Sequence, residues 1–253
     1  MNNPMSLEGK RILVAGASSG IGRACAELAA SLGATLILAA RRKELLEEVR
    51  LGLEHPERHL CVGCDLTDDS AVESLVAEAV CAGKLDGLIY SAGMGPSLPL
   101  MMYNKQEAMR VFDINYFPFL ALMKLCSKKR NINPGFSAVA VSSMAAMVGI
   151  GGQCAYAGSK GALSACVRTL AIELVHKGVR VNAVCPSNIR TEMYDAVAAD
   201  INDEKGMEKI LSMQPLGIGT PEQVANAVCF LVSDAASFIT GINLPVDGGW
   251  SAQ

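Results

Sequence analysis

The chain has 253 residues, 51% of them hydrophobic, and a formal net charge of −3 at pH 7. A chain of this length can form one α/β domain or two small ones, and its composition lacks the basic surplus of nucleic-acid-binding proteins. Its N-terminal residues do not form a signal peptide and no apolar run reaches membrane-spanning length. We therefore expect a cytoplasmic protein that binds neither nucleic acid nor a membrane.

Short apolar runs, typical of strands buried on both faces, alternate along the chain with amphipathic segments, typical of helices. The predicted strands cover residues 11–15, 35–40, 59–64, 85–91, 136–142, 179–185 and 243–246. The predicted helices cover residues 21–32, 41–51, 106–112 with a continuation or bend near Pro118, and 156–176; a further helix, capped by Asp68 or Asp69, runs on to Cys81. Repeated β-α-β units predict a parallel sheet of about seven strands, doubly wound with helices on both faces, in a single α/β domain over residues 1–253.

A glycine-rich segment from Ala15 to Gly22 joins the first predicted strand to the first predicted helix. Gly16 is expected to permit a tight turn, Gly20 to let a ligand approach the backbone, and Gly22 to let the helix pack against the strand. The N-terminus of that helix would then bind an anion such as a dinucleotide pyrophosphate. The spacing G-x-x-x-G-x-G differs from the common dinucleotide fingerprint, and a purely structural turn is the alternative.

Ligands of such sheets bind beyond the carboxyl ends of the strands, so the residues at those ends are candidates for a site. These positions are the 16–22 loop, Arg41, Arg42, Asp65, 91–93, Ser142, Ser143 and the Cys185-Pro186 turn. Farther along the chain, Tyr156 and Lys160 lie four residues apart and hence on one face of a helix. A neighbouring ammonium lowers the pKa of a phenol, which suits proton transfer. An ordinary surface pair is the alternative.

Nine cysteines are scattered through apolar segments, so most are expected to be buried, reduced thiols. Cys61 and Cys64 form a C-x-x-C sequence, but on a strand these two positions face opposite sides, and we predict no metal site. Cys154 lies two residues before Tyr156. We expect a buried, inert thiol there, with redox sensitivity as the alternative.

These motifs together resemble those of the classical short-chain dehydrogenases/reductases. The matching elements are Gly16-x-x-x-Gly20-Ile-Gly22, Ser91-Ala-Gly93, Asn115, Ser143, Tyr156-x-x-x-Lys160, Pro186-x-x-Ile189-x-Thr191 and the ending Val246-Asp-Gly-Gly-Trp250. The resemblance covers about residues 8 to 250 and implies a Rossmann-type fold. The gap of 13 residues between Ser143 and Tyr156 is the usual one in the family, which selects Ser143 over Ser142.

The resemblance assigns catalytic roles to Asn115, Ser143, Tyr156 and Lys160. Tyr156 would be the general acid in carbonyl reduction and the general base in alcohol oxidation. Ser143 would hold and polarise the substrate oxygen. Lys160 would lower the pKa of Tyr156 and hydrogen-bond the nicotinamide ribose, and Asn115 would anchor a water that links Lys160 to solvent.

The resemblance also implies a nicotinamide cofactor. The implied cofactor-binding residues are Gly16, Ser18, Ser19, Gly20, Ile21, Gly22, Arg41, Arg42, Asp65, Leu66, Ser91, Ala92, Gly93, Tyr156, Lys160, Pro186, Ile189 and Thr191. After the second predicted strand, Arg41 stands where relatives that prefer NAD carry an acidic residue for the ribose 2′-hydroxyl. An arginine pairs with a 2′-phosphate, so we predict NADP(H) over NAD(H). The alternative is that both arginines only solvate the start of a helix.

Two residues depart from the family pattern. Ser91 stands where the family usually has asparagine, which puts its bracing role between strands in doubt, and Ser187 replaces a glycine at the substrate mouth. The implied substrate residues are Ser143, Met144, Gln153, Tyr156 and Ser187, with Met94 and Cys154 as further candidates. We expect a lid over roughly residues 187–215, to which Met193, Tyr194 and Met213 give apolar character. Plain core packing of these methionines is the alternative.

The leading hypothesis is an NADPH-dependent carbonyl reductase, closest in type to 3-oxoacyl-[acyl-carrier-protein] reductases. The alternatives are an alcohol, sugar or hydroxysteroid dehydrogenase, and a cofactor-binding sensor or scaffold without turnover. The basic residues 128–130 and Lys177 occupy places used by carrier-protein reductases to dock a carrier-bound substrate, although such a run is usually a solvated helix end. The resemblance also implies a homotetramer or homodimer.

Overall fold

The computed structural model describes residues 3–195 and 212–253. Seven strands in this part of the chain form one parallel sheet in the order β3-β2-β1-β4-β5-β6-β7. The strands are β1 Arg11–Ala15, β2 Thr35–Ala40, β3 Leu60–Gly63, β4 Leu85–Tyr90, β5 Ile132–Val141, β6 Arg180–Pro186 and β7 Asn243–Val246. The strand order reverses between β1 and β4, which places a crevice at the carboxyl ends of these two strands.

The helices of the described residues cover both faces of the sheet. They are α1 Gly20–Ser31, α2 Lys43–Leu51, α3 Asp69–Cys81, α4 Lys105–Asn115, α5 Phe117–Cys126, α6 Cys154–Leu174 and α7 Pro221–Val232. Helices α1, α2 and α7 pack on one face around Ile12 and Val14, and α3, α5 and α6 pack on the other around Leu13 and Ala15. The predicted doubly wound parallel sheet is therefore confirmed. None of the described helices is long and apolar enough to cross a membrane.

Successive residues of each strand point to opposite faces, and the two cores divide accordingly. Cys61 packs with the α1 face and Cys64 with the α3 face, as the strand alternation predicts. Seven of the nine cysteines are buried or half-buried, whereas Cys81 and Cys154 are exposed. The expectation that Cys154 is buried is therefore wrong. It is the first residue of α6, where the helix leaves the surface loop.

Two predicted boundaries differ from the structure. The predicted helix near residues 106–118 is two helices, because the backbone turns at Tyr116 and Pro118 lies in the first turn of α5, where a missing N–H costs nothing. Strand β5 begins four residues before its prediction, since Ile132 pairs with Leu85 across an irregular register. The predicted cap of α3 is confirmed, because the Asp68 carboxylate accepts a hydrogen bond of 2.9 Å from the Ser70 N–H.

Candidate active site

The glycine loop, residues 16–22, carries the chain from the end of β1 into α1. Gly16 adopts a φ of +88°, and a Cβ there would lie 2.5 Å from the Ala92 nitrogen. A Cβ on Gly22 would overlap the Gly16 carbonyl oxygen, so the turn and the helix approach as closely as backbones can. Ser19, the residue before α1, makes no side-chain cap bond, so that cap does not satisfy the first N–H groups of the helix. This arrangement fits the pyrophosphate of a dinucleotide.

The segment 91–93 lies between the glycine loop and the proton-transfer residues. The Ser91 N–H donates to the Ala15 carbonyl at 2.8 Å, which ties the end of β4 to β1 through the backbone instead of the usual asparagine side chain. A Cβ on Gly93 would lie 3.1 Å from Asn115 Oδ1 and 3.3 Å from Lys160 Nζ. Gly93 therefore marks the point where α4, α6 and the β4 end converge.

Asn115 is fully buried at the C-terminus of α4. Its Oδ1 accepts from the Met94 N–H at 2.8 Å, and its Nδ2 donates to the Met94 carbonyl and to Ser159 Oγ, both at 2.9 Å. Both amide protons are used, so the side chain joins the 94 loop to α6, and only an acceptor position on Oδ1 is left for the predicted water. Ser159 was not predicted. It lies immediately before Lys160 but belongs to no motif or periodic pattern that would have identified it from the sequence.

Lys160 is buried on the inner face of α6. Its Nζ donates to the Val141 carbonyl at 2.8 Å and lies 5.9 Å from the centre of the Tyr156 ring. Burial lowers the pKa of Lys160 to about 8, and the nearby Cys185 opposes this change. A lysine near its own titration point carries less positive charge at neutral to alkaline pH than a free lysine does.

Tyr156 is half-buried one helical turn before Lys160. Burial of the phenol raises the pKa of Tyr156, and a hydrogen bond with the Ser143 side chain opposes that change. Lys160 is not among the causes of this change, so the expected depression of the Tyr156 pKa by the ammonium is not found in this structure, where removal of the phenolate from water dominates. Ser143 follows β5 and also accepts a bond of 3.1 Å from the Ala145 N–H. Ser142 points away from the phenol, and its hydroxyl bonds the Lys160 carbonyl oxygen instead.

The chain after β6 returns to the glycine loop. Ile189 is buried and pairs with Gly219, and the methyl carbon of Thr191 lies 3.4 Å from the position of a Cβ on Gly20. The Thr191 hydroxyl donates to the Ile189 carbonyl at 3.2 Å. Beside them lies an open cleft of about 410 Å³, lined by residues that include Gly20, Arg23, Arg190, Thr191 and Glu192. The loop after β6 therefore closes one side of the candidate dinucleotide site.

The residues predicted for the adenosine side follow β2 and β3. Arg41 and Arg42 are exposed, and Arg42 precedes α2 without a side-chain cap bond. The Asp65 carboxylate accepts from the Thr67 N–H at 3.0 Å and from the Thr67 hydroxyl at 2.8 Å, which together with the nearby Arg41 lowers the pKa of Asp65. The Leu66 side chain is buried in the core, so only its backbone can meet a ligand.

The predicted substrate residues fall into two groups. Met144 is fully buried in the short helix 144–146, and its contact with a substrate stays a prediction. Gln153 and Met94 are half-buried. Gly95 was not predicted as a site residue, but it lies beside Tyr156. A Cβ on Gly95 would lie 3.2 Å from the Tyr156 ring and 3.4 Å from Met193 Sδ. Part of the lid expected over residues 187–215 lies outside the described residues.

The basic residues 128–130 are exposed and lie between α5 and β5, at the amino edge of the sheet. Lys177 belongs to the same surface, since its Nζ donates to the Ser127 carbonyl at 3.3 Å, and Lys84 Nζ likewise donates to the Lys129 carbonyl. In a parallel sheet this edge is opposite to the carboxyl edge that carries Ser143. The chain thus holds this group of basic residues and the candidate site at opposite ends of the sheet.

The residues present fit a dinucleotide cofactor. The glycine loop leaves no room for a Cβ at Gly16 or Gly22, so only glycine at these positions permits the tight turn that brings the α1 N-terminus to the end of β1. Farther along the carboxyl edge, the Ser187 hydroxyl is buried and has no hydrogen-bond partner among the described residues. An unpaired buried hydroxyl is costly, as expected of a group that pairs with a molecule bound next to the cofactor.

A family model described as enoyl-(acyl carrier protein) reductase matches residues 16–251. A 3-oxoacyl-[acyl-carrier-protein] reductase from Rickettsia felis is 35% identical over 97% of this chain and 98% of its own length. An L-rhamnose 1-dehydrogenase (NAD(P)(+)) from Sphingomonas is 34% identical over 96% of both chains. The solved structure of a 7α-hydroxysteroid dehydrogenase, complexed with NADH and 7-oxo-glycochenodeoxycholic acid, superposes with a TM-score of 0.90 at 30% identity and covers 98% of this chain and 97% of that one.

Proposed function

The chain belongs to the short-chain dehydrogenase/reductase family, and on that premise we propose that it reduces a 3-oxoacyl thioester with NADPH. That it is an oxidoreductase acting on CH–OH or C=O groups follows from the family itself. The observation that carries the proposal is the convergence of Ser143, Tyr156 and the buried Lys160 beside the glycine loop. A binding module without turnover needs no such set, which is why we set the sensor hypothesis aside.

The nicotinamide cofactor supplies the hydride when it is bound. The glycine loop and the α1 N-terminus would hold its pyrophosphate, and the 189–191 segment would hold its nicotinamide end. The protein then provides the proton: the Tyr156 hydroxyl donates to the oxygen of the carbonyl being reduced. Ser143, hydrogen-bonded to Tyr156, holds the same oxygen and stabilises the charge that develops on it.

Lys160 assists this proton transfer. Its Nζ is fixed at 2.8 Å from the Val141 carbonyl and lies 5.9 Å from the centre of the Tyr156 ring. Desolvation gives Lys160 a pKa of about 8, which suits a group that exchanges protons near neutral pH. Asn115 stabilises this arrangement, since it fixes the 94 loop against the turn of α6 that carries Lys160.

The preference for NADPH rests on charge at the end of β2. Arg41 and Arg42 are both exposed there, and the sequence from Ala39 to Arg42 contains no carboxylate that would repel a 2′-phosphate. A guanidinium binds phosphate through a planar pair of N–H groups. A contrary indication comes from the 7α-hydroxysteroid dehydrogenase, whose structure contains NADH. Measured dissociation constants of NADPH and NADH decide which of the two cofactors the protein prefers.

A 3-oxoacyl thioester is the proposed substrate because a reductase of that class matches nearly the whole chain at 35% identity. The surroundings of Tyr156 include apolar groups: Met193 approaches Gly95 beside the Tyr156 ring, and Leu100, Met101 and Met102, which follow Gly95 in the chain, are largely exposed. Such side chains suit an acyl chain. Ser187 is the proposed polar contact to the substrate, since the alternation along β6 puts it on the face of Cys185, toward α6.

A second candidate is a dehydrogenase that oxidises a sugar or a hydroxysteroid, since relatives with those names match equally well in length. Initial rates distinguish the two candidates. Reduction of an acetoacetyl thioester with NADPH is compared with oxidation of a sugar and of a hydroxysteroid with NAD+ and with NADP+. Faster turnover of the thioester supports the proposal; turnover of only the alcohols replaces it with the second candidate.

Carrier docking and assembly belong to the same proposal. Because the cluster at 128–130 and the site of the same subunit occupy opposite ends of the sheet, a carrier bound there would serve the site of a neighbouring subunit.

Apolar side chains on α5 and α6 support a homotetramer or homodimer, since Phe117 and Ile172 are 44% and 76% exposed. Light scattering after size exclusion measures the oligomeric state, and cell fractionation tests the proposed cytoplasmic location.

A further inference from the structure

Two consecutive residues at the end of β5 hold Lys160 at both ends. The Val141 carbonyl accepts a bond of 2.8 Å from Lys160 Nζ, and the Ser142 hydroxyl donates a bond of 3.1 Å to the Lys160 carbonyl oxygen. Lys160 and Ser142 are only 4% and 3% exposed. The backbone and the ammonium of the lysine are therefore both tied to the same strand end, and the four-carbon stem between them spans a fixed distance.

A second hydroxyl supports the first. Ser142 Oγ lies 2.7 Å from Ser164 Oγ, which is on α6 one turn after Lys160. A hydroxyl has one proton, and Ser142 gives its proton to a carbonyl that can only accept, so Ser164 is the donor in this pair. The Cys185 thiol on β6 contacts both hydroxyls. The result is a buried chain of hydrogen bonds that runs from α6 to the end of β5 and back to the Lys160 carbonyl.

We propose that Ser142 is a positioning residue for the reaction: its hydroxyl fixes the turn of α6 that carries Tyr156 and Lys160 against the end of β5. The inference rests on the proposed function of that site and adds a residue to it. Ser142 is buried and its only proton is committed to Lys160, so it does not touch substrate. Its effect passes through the position of the lysine, and small displacements of a group that assists proton transfer are costly.

The groups that face Lys160 define what a displacement would do. Tyr156 on its own helix and the Cys185 thiol on β6 are the titratable neighbours, and α4 presents the uncharged Asn115. No carboxylate of the described residues is among the causes of its altered pKa, so burial sets the charge of Lys160. If the helix turn loosens, water reaches the ammonium and its pKa rises toward the ordinary value.

The test compares Ser142→Ala with Ser137→Ala. Ser137 is a matched control because it is a fully buried serine of the same strand whose hydroxyl also donates to a backbone carbonyl, that of Leu231, at 2.9 Å. Ser142→Ala removes the bonds of its hydroxyl with the Lys160 carbonyl and with Ser164 Oγ, whereas Ser137→Ala removes one bond, so Ser142→Ala should lose at least as much thermal stability as the control. We expect Ser142→Ala to lower kcat about tenfold with little change in KM, and to raise the pKa of Lys160 above 8. Ser142→Thr keeps a hydroxyl and should restore both kcat and the pKa of Lys160. Ser137→Ala should leave them unchanged.

A second readout does not depend on the substrate. Competitive acetylation of lysines, read by peptide mass spectrometry over a pH series, gives the reactivity and the pKa of Lys160 directly in the folded protein. A higher pKa of Lys160 in Ser142→Ala than in wild type or Ser137→Ala, read from the pH dependence of its labelling, supports the inference even if the thioester proves not to be the substrate. The same Lys160 pKa in all three proteins, or equal losses of kcat in both alanine variants, overturns it. A wild-type protein that reduces no thioester overturns only the proposed function.

Discussion

A Cβ atom on Gly22 would overlap the carbonyl oxygen of Gly16, so α1 approaches the end of β1 only because residue 22 has no side chain. We predict that Gly22→Ala pushes the helix N-terminus out of place, costs about 1–3 kcal/mol of unfolding free energy, and weakens NADPH binding about tenfold or more. Denaturant titration and NADPH titration measure the two effects. The control is Gly161→Ala on α6, where nothing lies within 4 Å and stability should hold or rise. Equal NADPH affinity in both variants would contradict the assignment of this loop.

The exposed Arg41 is the residue proposed to select NADPH. Arg41→Glu replaces an attractive charge by a repulsive one beside the 2′-phosphate, so the ratio of the NADPH and NADH dissociation constants should change by about 100-fold or more toward NADH. Arg58→Glu makes the same charge change at an exposed position before β3, away from the carboxyl edge, and should leave the ratio unchanged. A wild-type protein that binds NADH as tightly as NADPH would sink the proposed preference.

Lys160 makes stability depend on pH with a defined sign. Burial lowers its pKa from 10.5 to about 8, so between these pH values the unfolded chain binds a proton that the folded protein does not. The contribution of Lys160 to the free energy of unfolding is therefore least favourable below pH 8 and improves as the pH rises toward 10.5. The stability of Lys160→Met relative to wild type should fall across this window, whereas that of the exposed Lys177→Met should stay constant. A constant difference for Lys160→Met would refute the buried-lysine account.

The two exposed thiols should react first. We predict that a maleimide labels Cys81 and Cys154 well before the other seven cysteines, because burial raises the pKa of thiols such as Cys61 and Cys64, each to about 11, and excludes the reagent. Peptide mass spectrometry after short labelling gives the order. Cys154 precedes Tyr156 by two residues, so its labelling should lower turnover while labelling of Cys81 alone, in Cys154→Ser, should not. Early labelling of Cys185 would show that the site is more open than the structure indicates.

Much of the fold could be predicted from the sequence because buried parallel strands are short apolar runs with turns at both ends. Strands β1 and β2 have the predicted bounds for this reason. Strand β5 was predicted too short, since its first residues include Pro134 and Gly135, which carry no strand signal and are held by an irregular register with β4. The break at Tyr116 was only partly predicted, because Pro118 fits inside the first turn of α5 as well as between two helices.

The site was predicted as a set of residues rather than as a set of contacts. Spacing alone places Tyr156 and Lys160 on one helix face and Ser143 at a strand end. It does not give the angle at which α6 packs on β5. That angle determines which side chains meet: Ser142 bonds Lys160, and Met144 is buried. It also does not give the degree of desolvation, which raises the pKa of Tyr156 against the direction expected from a neighbouring ammonium.

The most direct test of the account is the initial rate of NADPH consumption with an acetoacetyl thioester, measured for wild type and for Tyr156→Phe beside the same assay with NADH. The account predicts turnover that prefers NADPH and falls by about a thousandfold in Tyr156→Phe, with the dissociation constant of NADPH nearly unchanged. A Tyr156→Phe protein that retains full turnover would contradict the proton-transfer role of Tyr156.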